Sequence, residues 1–87
     1  MRCMLLRVLR KYFCAQALHA RTKMGMTQAQ MAERLVMDER SYSDLEHGVS
    51  ACSGLTLALF LIYCCDEPGE FLKELRRALE EEIEHAA

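Results

Sequence analysis

The stretch from Thr27 to Gly48, TQAQMAERLVMDERSYSDLEHG, constrains the fold of this chain more than any other. It holds two short helical patterns with the break Val36-Met37-Asp38 between them. Thr27 can cap the first helix with its hydroxyl, while the Gln30 side chain reaches back to the Thr27 N–H. Met26 before the cap and Met31 within the helix are placed as a hydrophobic staple. Apolar residues then recur at Met31, Ala32 and Leu35, the spacing of one buried stripe. Asp38 is a good cap for the second helix, and Met37 faces Tyr42 across it. Tyr42 and Leu45 point inward, and Gly48 provides a C-terminal stop where the chain reverses. The pattern predicts helices over 28–35 and 39–47 that cross at a tight turn.

Two helices joined in this way form a helix-turn-helix, and this one resembles the Xre/phage-repressor (Cro-type) family, whose members bind DNA as small all-helical domains. Ala32 falls where the family needs a small residue at the helix crossing, and Leu35, Met37, Tyr42 and Leu45 fall on its apolar positions. Arg21 and Glu46 match an ion pair that links the first helix to the end of the recognition helix, and Glu46-His47-Gly48 resembles the family's Glu-x-Gly ending. The likeness covers residues 15–65 and implies an all-α, lambda-repressor-like bundle of five helices without strands. One departure lies in the turn, where Val36 replaces the usual glycine. A β-branched residue disfavours positive φ, so the turn is either strained or built differently.

The flanking segments read as three further helices. The first spans 3–23 and ends at Gly25; Leu5, Leu6, Val8, Leu9, Tyr12, Phe13, Ala17 and Leu18 give it a wide apolar arc. Its first ten residues precede the family's usual start. That arc suits either core packing against the C-terminal helix or a subunit interface. The segment 54–65 is apolar on every side and needs cover all round. The last helix, 68–84, opens on Asp66-Glu67-Pro68-Gly69-Glu70 and buries Phe71, Leu72, Leu75, Ala78, Leu79 and Ile83. Glu80-Glu81-Glu82 near its end is either a solvated run or a face toward the basic first helix. With 87 residues and no linker-like stretch, residues 1–87 are expected to form a single domain.

Composition narrows the setting. The five cysteines, Cys3, Cys14, Cys52, Cys64 and Cys65, are odd in number and lack C-x-x-C spacing, which points to free thiols in a reducing cytoplasm. No apolar run approaches the ~20 residues of a membrane span. The net charge of −2 hides a gradient: +6 over residues 1–26, where no acid occurs, −3 over 27–65 and −5 over 66–87. The helix-turn-helix is therefore itself acidic, although phosphate neutralisation supplies most non-specific DNA affinity.

No catalytic constellation, phosphate-binding glycine loop, cofactor motif or metal-ligand spacing emerges; His19, His47 and His85 stand apart in sequence. An enzyme is not expected. Function is expected on the outward positions of the recognition helix, Glu39, Arg40, Ser43, Asp44 and His47. Arg40 can contact guanine with two hydrogen bonds, Ser43 can bond either base type, and Glu39 can accept from cytosine N4. Thr27 and Gln28 are placed as phosphate contacts. The resemblance implies a double-stranded DNA ligand and a homodimer, and the loop after Gly48, which in related domains often carries phosphate-binding bases, has none here. The alternative is an adaptor that keeps the fold and binds protein, on the recognition face or on the acidic C-terminal helix.

Overall fold

Caps, more than composition, mark where the helices begin and end. The computed structural model describes residues 1–86, in five helices with no strand among them: α1 (Arg2–Met24), α2 (Gln28–Arg34), α3 (Glu39–Glu46), α4 (Gly54–Tyr63) and α5 (Pro68–Ala86). At α2 the reciprocal capping box is complete: the Gln30 N–H donates to Thr27 Oγ1 at 3.1 Å and the Thr27 N–H to Gln30 Oε1 at 2.9 Å. Asp38 caps α3, accepting from the Ser41 N–H at 3.2 Å and the Ser41 hydroxyl at 2.5 Å. Ser53 caps α4 by accepting from the Thr56 N–H at 3.1 Å.

The first three helices end alike, with a pair of reversed backbone bonds around one left-handed residue. Gly25 ends α1 at φ 66, with its N–H on the Thr22 carbonyl and that of Met26 on Arg21. Gly48 ends α3 at φ 73, with its N–H on Leu45 and that of Val49 on Asp44. Val36 ends α2 at φ 57, with its N–H on Glu33 and that of Met37 on Ala32. The turn therefore keeps the geometry a glycine would give it. Of the two possibilities open in the sequence, strain is the one realised.

The expected boundaries hold to within two residues, the usual latitude of helix termini. The fourth helix stops at Tyr63, short of Cys65. Pro68 starts α5, and residues 64–67 form the connection between the two helices. The starts of α2, α3, α4 and α5 fall as expected, and the other ends differ by one or two residues.

One apolar cluster joins all five helices. Phe13 and Ala17 of α1, Met31 and Ala32 of α2, Tyr42 and Leu45 of α3, Phe60 of α4 and Phe71 and Leu75 of α5 are all buried. Phe13 meets Phe60 edge-on at 5.1 Å, and Phe60 lies 5.5 Å from Phe71, so three helices share one aromatic chain. The Tyr12 hydroxyl donates to the Phe71 carbonyl at 3.0 Å and, with Lys23 bonded to Asp66 at 2.6 Å, sets α1 antiparallel to α5. The cover expected around α4 is incomplete: Leu55, Ile62 and Tyr63 are exposed. Glu80 pairs with Arg76 on its own helix, so the acidic run does not pair with α1 there. No helix among the described residues is long and apolar enough to cross a membrane.

Candidate nucleic-acid interface

The site is built from the ion pair outward. Arg21, in the last turn of α1, donates from Nε to Glu46 Oε2 at 2.8 Å and from Nη2 to Oε1 at 2.7 Å. This planar two-bond fork fixes both the distance and the angle between α1 and α3. The third nitrogen, Nη1, donates to the Met26 carbonyl at 3.1 Å, so the same guanidinium also holds the chain entering α2. Gln28 Nε2 donates to Glu46 Oε1 at 3.3 Å. One carboxylate thus ties α1, α2 and α3 together at the end of the recognition helix.

Burial makes this contact strong. The Glu46 side chain is 6% exposed and that of Arg21 21%. The Arg21 guanidinium hydrogen bonds outweigh desolvation and hold the Glu46 carboxyl at about 2, well under its ordinary value. The Tyr42 hydroxyl lies beside the pair, buried, but without a hydrogen bond of good geometry. It acts on the carboxylate as a nearby dipole, and burial first, then Glu46, raises its own pKa.

With one side of α3 fixed by Tyr42, Leu45 and Glu46, the opposite side is turned to solvent. Glu39, Arg40 and His47 are exposed there, and Ser43 and Asp44 are half-buried beside them. These are the outward positions expected from helical spacing, and they share one face. His47 Nδ1 lies 2.7 Å from the Ser43 carbonyl, which can only accept, so Nδ1 carries the proton and Nε2 is left for an external partner. The Asp44 carbonyl is occupied by the Val49 and Ser50 N–H groups. Thr27 is exposed at the start of α2 and keeps its hydroxyl proton, and the half-buried Gln28 keeps one amide proton after bonding Glu46.

Sequence spacing did not anticipate two parts of this arrangement. The pull of Gln28 toward Glu46 links residues on two helices with no local pattern between them. The Lys23–Asp66 bridge spans two ends distant in sequence, and its only signal was opposite charge at two helix termini.

Two capped helices, a buried fork at their far end and an exposed polar face on the second define a helix-turn-helix domain of the DNA-binding type. A family model described as helix-turn-helix matches residues 19–62. The chain belongs to the Xre/lambda-repressor-like helix-turn-helix family, a family of DNA-binding domains. No curated protein and no solved structure matches it.

Proposed function

We propose that this protein binds double-stranded DNA sequence-specifically, as a small transcriptional regulator of the repressor type acting in the cytoplasm. The observation that carries this reading is the exposed face of α3, held at a fixed angle by the Arg21–Glu46 fork. In it α3 lies in the major groove, where Arg40 takes a guanine edge with two hydrogen bonds and Ser43 accepts or donates to a neighbouring base. Glu39 accepts from cytosine N4, Asp44 can do the same, and His47 offers Nε2. Thr27 and Gln28 hold the phosphates on one side and fix the register of the helix.

A repressor of this kind reads paired half-sites, which requires a two-fold dimer with recognition helices about 34 Å apart. The open side of α4 supports a second copy as the missing cover, since Leu55, Leu59 and Ile62 fall on one stripe and Leu55 and Ile62 are 70% and 67% exposed.

The acids Glu39 and Asp44 favour a second reading, an adaptor whose protein partner docks on this face or on the acidic surface of α5. Selection from a random duplex library at low salt separates the two. Regulation predicts an enriched motif for the native chain, with the guanine preference at one position lost in Arg40→Ala. If the native chain enriches no sequence, the adaptor reading replaces it.

A further inference from the structure

Two contacts fix which side of α1 faces the end of the recognition helix. Arg21 reaches Glu46 in the last turn of α3, and Cys14 Sγ stands 3.6 Å from where a Cβ on Gly48 would be. At about 100° per residue these two positions differ by only about 20° around the helix. Continued toward the N-terminus, the same stripe carries Lys11, Arg10 and Arg7, all within about 60° of Cys14. Arg10 lies about 6 Å and Arg7 about 10 Å beyond Cys14 along the axis. Both therefore stand beyond the level of Gly48 along α1.

The charge of this stripe is not satisfied within the described residues. Arg7 and Lys11 are exposed and Arg10 is half-buried. The cations in ion pairs are Arg21, Lys23, Arg76 and Arg77, and residues 1–26 contain no acid. The adjoining loop, Val49-Ser50-Ala51-Cys52-Ser53, has no charge of its own, and its first two N–H groups are taken by the Asp44 carbonyl. The loop after the recognition helix is thus uncharged, and the α1 stripe that reaches Gly48 carries three cations in no ion pair among the described residues.

We infer that Arg7, Lys11 and Arg10 bind the phosphate backbone of duplex DNA next to the groove that α3 enters, in place of the uncharged loop. This rests on the DNA-binding reading above and adds to it the source of phosphate affinity. Screening confines the effect of these charges to roughly 8 Å at physiological salt, so they act by contact with phosphate and not by steering from a distance. Each such contact releases condensed counterions. That release supplies the attraction that Glu39 and Asp44 on α3 oppose, and it carries no sequence information.

The measurement is binding of the full chain to a random-sequence duplex by fluorescence anisotropy, over about 50 to 200 mM salt. Arg7→Ala/Lys11→Ala removes two exposed side chains and leaves the core intact, which circular dichroism verifies. The slope of log K against log salt should become shallower by about 2, close to 0.9 for each phosphate released. Arg7→Lys should keep the native slope. A folded Arg7→Ala/Lys11→Ala protein with the native slope overturns the inference and leaves the DNA reading standing. A native chain that binds no duplex at the lowest salt overturns the DNA reading and this inference with it.

Discussion

Among the described residues, Val36 is the one outside glycine held at positive φ. It sits at the position that Gly25 and Gly48 fill at the other two helix ends of the same design, and the residue is 79% exposed. No packing therefore compensates a left-handed conformation that costs an L-residue about 1–2 kcal/mol, with β-branching adding to it. Val36→Gly removes the strain but loosens the unfolded chain, which offsets about 0.5–1 kcal/mol. A net gain of about 1 kcal/mol is expected, read as a rise of about 4–8 °C in Tm; an unchanged or lower Tm contradicts the strain. The Arg21–Glu46 fork makes stability depend on pH. Glu46 titrates at about 2 in the fold against an ordinary value of 4.5. Its folded pKa is depressed, so the stabilisation is fully present above pH 4.5 and is lost as pH falls toward 2. The amount lost is on the order of 3 kcal/mol. Arg21→Ala strands the more deeply buried partner and should cost about 3–5 kcal/mol at neutral pH. Glu46→Ala should cost less, because Arg21 retains solvent and the Met26 carbonyl. Denaturant melts of the three proteins between pH 2 and 7 test both the ordering and the flattening of pH dependence in Arg21→Ala.

At the scale of the helices, what was legible in the sequence was whatever is specified locally. The Thr27–Gln30 box and the Asp38 cap are bonds between residues three apart, and both appear as read. The buried stripe through Met31, Ala32, Leu35, Tyr42 and Leu45 follows from periodicity alone. The exposed stripe of α3 follows as its complement, which is why Glu39, Arg40, Ser43, Asp44 and His47 share one face. The Arg21–Glu46 pair is not local, and it was legible only through the family resemblance. Other features depend on how helices sit against each other. The end of α4 at Tyr63 has no marker in the apolar run through Cys65, so the run overstated its length. The thiols divide likewise, with Cys3 exposed on α1 and Cys64 in the core, where burial raises its pKa. The placement of Cys14 against Gly48, which orients the basic stripe of α1, is a tertiary contact with no signature in spacing.

At the scale of the molecule, two surfaces remain to be matched with partners, and the charge gradient of the chain separates them. The proposals above assign the polar face of α3 and the basic stripe of α1 to DNA. The apolar side of α4 offers Leu55, Ile62 and Tyr63, with Leu72 and Ile83 of α5 also exposed. A helix this apolar loses favourable free energy for every side chain left in water, about 25 cal/mol per Å² of apolar surface. A second copy placed there covers the Leu55–Ile62 stripe of both subunits at once, because a two-fold interface uses the same patch twice. The native chain is therefore expected to sediment as a dimer at micromolar concentration. Ile62→Asp puts a charge in the middle of that stripe without touching the core, so it should sediment as a monomer with unchanged helix content. On DNA, the variant should keep its affinity for a single half-site and lose the extra affinity of two half-sites one helical turn apart. A native chain that sediments as a monomer removes the dimer. A dimer that survives Ile62→Asp places the interface elsewhere, and the same experiment with Leu6→Asp then asks whether the open end of α1 forms it.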